Sequence, residues 1–113
     1  MLCSVALQPA AGDAVDFDRW YREEHLQLLS ECPGYRRSRR FEVVNATVLD
    51  KFERSAPEVP RYLALHEFDG KEFPMEALGK TAETEWAKKV MGNLSAAEVG
   101  WYRLKRTYDD TKR

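Results

Sequence analysis

Alternating apolar and polar positions predict four strands in this chain. In residues 2–8, Cys3, Val5 and Leu7 fall on one side, with small or polar residues between them. A period of two is typical of a half-buried strand. Similar alternation occurs in three further segments, residues 35–44, 62–68 and 98–108. We therefore expect these to form the second, third and fourth strands.

Two segments between the strands repeat their apolar residues at helical spacing. The first begins near Asp16 and ends before Pro33 and Gly34. Its apolar side comprises Phe17, Trp20, Tyr21, His25, Leu28 and Leu29. The second helix is expected to begin at Thr81, and its apolar side comprises Ala82, Trp86, Val90 and Leu94. A short helical turn is predicted between Pro74 and Gly79.

The predicted order of elements is β-α-β-β-α-β. This order indicates an α+β, ferredoxin-like fold, in which two helices cover one face of a four-stranded antiparallel sheet. The third strand carries apolar residues on both faces, Leu63 and Leu65 on one and Tyr62, Ala64 and Phe68 on the other. A sheet with one solvated face does not fit this pattern. We therefore expect a second copy of the chain to cover the other face.

Composition narrows the classes of partner. The 113 residues, taken as one domain over 1–113, carry 18 Lys and Arg against 19 Asp and Glu. Such a balance gives no summed positive field for nucleic acid or an anionic membrane. The third strand lacks the aromatic run of RNA-recognition domains. Neither a secretory leader nor an apolar run of spanning length is recognisable, so a cytoplasmic location is expected.

The second predicted strand is basic. It carries Arg36, Arg37, Arg39 and Arg40. In the predicted topology this strand lies at a sheet edge, where charged side chains prevent pairing with other chains. We favour this interpretation over an anion-binding patch.

Two histidines are the side chains that titrate near neutral pH without a large shift. No phosphate-binding loop, dinucleotide glycine motif, nucleophile elbow or zinc-ligand spacing is recognisable, so no metal or organic cofactor is expected. His25 lies one turn after Tyr21 on the sheet-facing side of helix one, and His66 shares a strand face with Tyr62 and Ala64. Each is either a core imidazole bonded within the protein or an acid–base group beside a ligand cavity. Spacing alone favours the first interpretation for His25.

Residues 17–35 contain the pattern F-x-x-W-Y-x-x-E-H-x-x-L-L followed by P-G-aromatic. This pattern resembles the EthD-like branch of the dimeric α+β barrel proteins, as do residues 60–69 and 85–86. The resemblance implies a homodimer whose sheets pack into a barrel, with a pocket between sheet and helices that His25 borders. It also implies chemistry without a cofactor, since cyclases, decarboxylases and isomerases of this kind need none. By this resemblance the functional interpretation of His25 is favoured over the structural one.

The leading hypothesis is a cofactor-independent lyase, cyclase or isomerase that acts by His general acid–base catalysis on a polyketide-like or other enolisable aromatic molecule. The candidate catalytic residues are His25, His66 and Tyr62. A pocket for a small apolar or aromatic substrate is expected to be lined by Phe17, Trp20, Tyr21, Tyr35, Ala64, Phe68 and Trp86. Two alternatives stay open: a non-catalytic binding or accessory protein, and a cofactor-free monooxygenase of the same superfamily. Residues 45–60 are a candidate lid.

Overall fold

A computed structural model describes residues 1–47, 59–70 and 72–109 of the chain. Its strands are β1 (Leu2–Pro9), β2 (Tyr35–Glu42), β3 (Tyr62–Phe68) and β4 (Leu94–Tyr102). Helix α1 comprises three consecutive segments, Ala14–Trp20, Tyr21–His25 and Leu26–Ser30, and is followed later by α2 (Met75–Lys80) and α3 (Glu85–Gly92). The predicted order of elements is confirmed, with α2 as the predicted short helical turn. Most of the candidate lid, residues 48–58, lies outside the described residues.

The four strands form one antiparallel sheet in the order β2-β3-β1-β4. The fold is therefore the expected α+β, ferredoxin-like one, and β2 lies at an edge of the sheet as predicted. Cys3 is opposite both His66 and Trp101, and residues directly opposite each other share a face of the sheet. The side of β3 that carries His66 therefore lies on the sheet face that the helices cover.

The core lies between the helices and this face of the sheet. One cluster joins buried residues of β1, α1, β3 and α3: Leu7, Phe17, Trp20, Tyr21, Ala64, Ala87 and Val90. A second cluster joins Cys3, Cys32 and Phe68, with Tyr35 and Phe73 packed against it. His66 is the buried polar side chain between them, since it follows Ala64 and precedes Phe68 on the same face of β3. Burial away from water is therefore the main influence on the pKa of His66.

The second long helix begins and ends at different residues from those predicted. Thr84, not Thr81, is its N-cap, because the Thr84 Oγ1 atom accepts a hydrogen bond of 3.0 Å from the Ala87 N–H. Thr81 instead follows α2, where its hydroxyl donates to the Leu78 carbonyl at 2.6 Å. Leu94 was predicted on the helix but begins β4, where it is opposite Pro9.

The last strand covers residues 94–102 rather than the predicted 98–108. It begins directly after α3, and its pairing with β1 ends where Tyr102 meets Leu2, near the start of the chain. Residues 103–109 have no partner strand among the described residues and are exposed. Their alternating sequence was therefore a misleading signal, since a period of two forms a strand only where another strand can pair with it.

A register shift in β2 corrects the predicted faces of its first residues. Tyr35 is opposite Phe68, whereas Arg37 is opposite Glu67 and Ser38 is opposite His66, so one extra residue is accommodated between positions 35 and 37. Tyr35 therefore lies on the same face as Ser38, whereas strict alternation over residues 35–44 would place it on the face of Arg37. The strand also ends at Glu42, two residues before the predicted end.

The sheet face away from the helices carries apolar side chains that are only partly buried. Leu63 and Leu65 are half-buried, while Phe41 is 45% and Tyr102 is 55% exposed. This agrees with the prediction that apolar residues occupy both faces of β3. No helix within the described residues is both long and apolar enough to span a bilayer.

Candidate functional site

The middle of α1 widens into a π-helical turn over Tyr21–His25. In a regular α-helix, residues five positions apart point about 140° away from each other. A π turn brings such residues nearly into line, and here the rings of Trp20 and His25 stack with centroids 4.3 Å apart and planes 19° apart. The widened turn therefore sets the orientation of the His25 imidazole. The α-helical spacing used for the sequence prediction does not anticipate this stack.

His25 lies in an aromatic environment. Besides the stack on Trp20, its ring meets the edge of the Tyr21 ring at a centroid distance of 4.9 Å. Its Nδ1 atom is buried and has no hydrogen-bond partner within the described part of the chain. Burial, then the neighbouring His66, then the positive charge of Arg40 lower the pKa of His25 to about 4. His25 is therefore neutral at pH 7.

His66 is hydrogen-bonded at both ring nitrogens. Its Nε2 atom lies 3.2 Å from the Tyr21 hydroxyl, and its Nδ1 atom lies 2.7 Å from the Ser38 hydroxyl. The residue is only 2% exposed, and burial followed by the charge of Arg40 lowers its pKa to about 4. A neutral imidazole carries one N–H and one free lone pair, so one of its two bonds is donated and the other is accepted.

The hydrogen bonding continues beyond Ser38. The Tyr35 hydroxyl lies 2.7 Å from the Ser38 hydroxyl. Tyr35, Ser38, His66 and Tyr21 thus form one continuous chain of hydrogen bonds that crosses from β2 to β3 and then to α1. The register shift in β2 makes this possible, because it brings Tyr35 to the face of Ser38. Sequence reasoning missed Ser38, since a serine on an edge strand gives no signal of a partner on the next strand.

Arg40 does not behave as the edge charge that was predicted. It is opposite Ala64 and therefore points to the helix-covered face. Its guanidinium lies 4.3 Å from the centroid of the Tyr21 ring and donates to Asp18 at 2.9 Å. Only 22% of its side chain is exposed. The other three arginines of this strand are exposed, so the edge-charge interpretation stays a prediction for them and is wrong for Arg40.

The Tyr21 phenol is the most enclosed acid–base group of the site. It is 1% exposed, and burial raises its pKa, while the Arg40 charge acts in the opposite direction. The carboxyl group of Asp18 is held below its usual pKa first by the hydrogen bond from Arg22 and also by Arg40. At neutral pH the site therefore contains a neutral phenol, two neutral imidazoles and one guanidinium–carboxylate pair.

Two cavities are relevant to small molecules. A pit of about 10 Å³ lies beside Tyr21 and is lined by Val5, Leu7, Phe17, Tyr21, Arg40, Tyr62, Leu63 and Ala64. This volume is about that of one water molecule. A larger cavity of about 510 Å³ lies at the other end of β3 and is lined by Met1, Leu2, Glu67, Tyr102, Arg103, Leu104 and Lys105. Neither of the histidines lines it.

The predicted site residues fall into four groups in the structure. Phe17, Tyr21, Tyr62 and Ala64 line the small pit, next to His66. Phe68 and Tyr35 belong to the second core cluster, and Trp20 is buried behind His25. Trp86 lies at the α1–α3 contact, where its indole N–H is 3.3 Å from Asp16, outside the lining of the pit. No three His, Cys, Asp or Glu residues of the described ranges are grouped so that they could hold a metal ion.

Comparison with protein-family models and with curated protein sequences finds no match. Solved structures with a similar fold include a variant of SnoaB, a cofactor-independent oxygenase from Streptomyces nogalater, at 12% identity and a TM-score of 0.57 over 96% of this chain and 97% of SnoaB. A NIPSNAP domain protein from Burkholderia xenovorans has 12% identity and a TM-score of 0.56, over 97% of this chain and 100% of the NIPSNAP chain. An EthD family protein from Bacillus halodurans has 19% identity and a TM-score of 0.48 over 91% of this chain and 99% of its own.

The similarities to SnoaB and to the NIPSNAP domain protein confirm the ferredoxin-like fold that the sequence predicted. The chain shares this α+β fold with SnoaB and the NIPSNAP domain protein, the two structures with TM-scores of 0.57 and 0.56. SnoaB shows that enzymes use this fold. At identities of 12% the similarity extends to the fold alone, because one fold supports many unrelated functions.

Proposed function

We propose that this protein is a small-molecule enzyme that moves a proton on an enolisable aromatic substrate without a metal or organic cofactor. The overall reaction would be a cyclisation, elimination, decarboxylation or isomerisation, which share an enol or enolate intermediate. The observation that carries the proposal is the buried Tyr21–His66 hydrogen bond beside a pit and beneath the Arg40 guanidinium. Buried acid–base pairs next to a fixed positive charge are typical of sites that stabilise developing oxyanions.

Each residue of the proposed site has a role that its surroundings support. The Tyr21 hydroxyl donates a hydrogen bond to the substrate oxygen as that oxygen gains negative charge. The positive charge of the Arg40 guanidinium, which lies 4.3 Å from the centroid of the Tyr21 ring, stabilises the developing negative charge. His25 does not line the pit in its closed form, and its unpartnered Nδ1 atom is the proposed base that removes the proton from carbon once the pit has opened. Tyr62, which lines the pit, orients the substrate.

Substrate binding requires more room than the pit offers. Its volume of about 10 Å³ holds a water molecule and not an aromatic ring. Tyr62 and Arg40 are among the half-buried side chains of its lining. Their outward movement, with separation of the Arg40–Asp18 pair, is therefore part of the proposal. Because both ends of that pair are partly solvated, separating them costs at most about 1 kcal/mol.

The test is exchange of carbon-bound hydrogen for deuterium in D₂O, followed by NMR over a panel of enolisable aromatic ketones and polyketide-like lactones. Enzyme-dependent exchange is the expected result for at least one compound class. Substitutions Tyr21→Phe, His25→Ala and His66→Ala should each lower the rate by on the order of a hundredfold. Tyr108→Phe is the matched control, because Tyr108 is 88% exposed. Unchanged exchange in both His25→Ala and His66→Ala would refute the assignment.

We also propose that the active form is a homodimer, joined through the sheet face away from the helices. Support comes from the apolar residues Phe41, Leu63, Leu65 and Tyr102 on that face, which one chain leaves partly exposed. Apolar patches of this kind favour association with a complementary surface. A second copy offers the same face, as the EthD-like resemblance implies.

A second candidate function is binding of an apolar metabolite without chemistry, and the cavity of about 510 Å³ favours it. That volume suits an aromatic ligand, and Leu2, Tyr102 and Leu104 supply apolar contacts. A ligand recovered unaltered after long incubation, with affinity reduced by Leu104→Asp and not by His66→Ala, would favour binding over catalysis. The cofactor-free monooxygenase alternative is tested by the same assay without oxygen, since turnover that continues there excludes it.

A further inference from the structure

We propose that Tyr35, Ser38, His66 and Tyr21 form a proton relay that connects the edge of the sheet with the buried Tyr21 hydroxyl. In this relay Ser38 is the central link, because its hydroxyl contacts both the Tyr35 hydroxyl and His66 Nδ1. The catalytic use of the relay rests on the proposed function. Its existence rests on the hydrogen-bond geometry alone.

The geometry is continuous over the four groups. The successive separations are 2.7 Å from Tyr35 to Ser38, 2.7 Å from Ser38 to His66 and 3.2 Å from His66 to Tyr21. All three lie within the range of hydrogen bonds between such atoms. Exposure falls along the chain, from half-buried Tyr35 and Ser38 to His66 at 2% and Tyr21 at 1%. The relay thus leads from the margin of the core into its interior.

Every member of the chain is able both to donate and to accept a proton. Hydroxyl groups do so directly, and a neutral imidazole does so through its two nitrogens. In one direction of bonding, Tyr35 donates to Ser38, Ser38 to His66 Nδ1, and His66 Nε2 to the Tyr21 oxygen. This leaves the Tyr21 proton pointing away from His66. In the opposite direction, Tyr21 donates to Nε2 and every other bond is reversed.

Transfer of one proton converts the first arrangement into the second. The O–H bond of Tyr21 breaks as its proton passes to the substrate oxygen, and Tyr21 receives the Nε2 proton of His66. Nδ1 takes the Ser38 proton, Ser38 takes the Tyr35 proton, and the solvent replaces it. Under the proposed function His25 Nδ1 receives the carbon-bound proton and returns it to the solvent. One proton enters and one leaves, so no net charge remains.

This mechanism suits the buried setting of His66. Burial and Arg40 hold its pKa near 4, so the imidazolium form is scarcely populated at pH 7. Unlike His25, whose Nδ1 atom has no partner, His66 already uses both ring nitrogens in hydrogen bonds. His66 therefore moves a proton by exchanging its two neutral tautomers, without forming an imidazolium. The pit beside Tyr21 has room for about one water molecule, which is able to take the proton when no substrate is bound.

The experiment measures exchange of the His66 imidazole N–H with water by NMR on protein labelled with ¹⁵N-histidine, without any substrate. Ring ¹⁵N shifts report which nitrogen is protonated. Ser38→Ala should shift the tautomer ratio and slow exchange by at least about tenfold, since one hydrogen-bonded link is lost. Tyr35→Phe should slow exchange and leave the Ser38 bond to His66 in place. Ser38→Thr should retain both properties, because the hydroxyl is kept.

Ser4→Ala is the matched control. Ser4 is on the central strand β1 opposite Leu65, and therefore on the other face of the sheet from His66. Wild-type exchange in both Ser38→Ala and Tyr35→Phe would overturn the relay. If Ser38→Ala does not fold, Tyr35→Phe and Ser38→Thr decide the question. If the Ser38 and Tyr35 variants slow His66 N–H exchange as expected but no candidate substrate exchanges its carbon-bound hydrogen, only the proposed function is refuted. If turnover depends on His66 but the Ser38 and Tyr35 variants leave His66 N–H exchange unchanged, only the relay is refuted.

Discussion

At the scale of single residues, the site combines groups that the sequence indicated with groups that it did not. His25, His66 and Tyr21 were predictable, because each follows the period of its own element toward the sheet or the helices. Ser38 and Arg40 were not, since their importance depends on neighbours brought close by strand pairing. Arg40 illustrates the difficulty, because four arginines within five residues look alike in sequence and only one of them faces the helices.

The backbone conformation at position 34 requires a glycine. Its φ of +81° lies in the left-handed region, and a Cβ atom at this position would lie 2.9 Å from the Asp69 carbonyl oxygen. The Gly34 carbonyl in turn accepts a hydrogen bond of 2.7 Å from the Asp69 N–H. Gly34→Ala should therefore lower the free energy of unfolding by about 2 kcal/mol or more, measured by urea denaturation.

Gly79→Ala provides the control for that prediction. Gly79 lies in α2, and a Cβ atom there would have nothing within 4 Å. Alanine is the better helix former, so this substitution should leave stability unchanged or raise it by up to about 1 kcal/mol. Equal losses from both substitutions would show that the close approach of residues 34 and 69 does not hold.

At the scale of elements, existence and order were predictable, whereas boundaries and irregularities were not. The long helices and strands follow from periods of 3.6 and 2 in the apolar residues. Two local insertions break those periods: the π turn at Tyr21–His25 and the register shift in β2. Both lie at the candidate site, where they align Trp20 with His25 and Tyr35 with Ser38. A strictly periodic interpretation cannot find them, because each adds one residue without changing the overall pattern.

Deletion of Glu23 tests whether the π turn orients His25. Glu23 is an exposed residue inside the turn, and its removal leaves the four-residue spacing of a regular α-helix. Trp20 and His25 then lie four positions apart, a spacing that an α-helix also places on one face. We expect helix content to be retained, as judged by circular dichroism, together with the ring-current shift that Trp20 causes at the His25 ring protons. Loss of that shift would show that the extra residue of the π turn is itself required for the stack.

At the scale of the whole molecule, the exposed apolar face argues for association. A chain of 113 residues buries only part of its apolar surface alone, and Phe41 and Tyr102 are about half exposed. Light scattering coupled to gel filtration at micromolar concentration should therefore give twice the chain mass of 13.1 kDa. Leu65→Lys, which adds a charge to the centre of that face, should shift the protein toward the monomer.

A lysine substitution elsewhere on the surface makes the association test specific. Val15→Lys is suitable, since Val15 is 75% exposed on α1. It should leave the mass at that of the dimer. A monomeric wild-type protein at these concentrations, or equal dissociation by Leu65→Lys and Val15→Lys, would contradict the proposed interface.

Stability of the whole molecule should fall steeply with acid before most carboxylates titrate. His25 and His66 have their pKa lowered from 6.5 to about 4 in the folded protein, so the unfolded chain binds more protons between these values. Their contribution to stability is therefore present above pH 6.5 and is lost as the pH falls toward 4. Between pH 7.5 and 5 the loss should be about 2 kcal/mol per histidine.

Urea denaturation across that pH range, at constant protein concentration and ionic strength, measures this loss. The double variant His25→Gln with His66→Gln removes both titrating groups, so its slope of stability against pH should be much smaller than that of the wild type, whatever its absolute stability. The two single variants should each remove about half of the slope if the histidines act independently. A smaller combined effect would reveal coupling between them, which their shared contact with Tyr21 supports. Equal slopes for the wild type and the double variant would show that neither imidazole is held neutral by burial, and the electrostatic argument that His66 stays neutral during proton transfer would then be wrong.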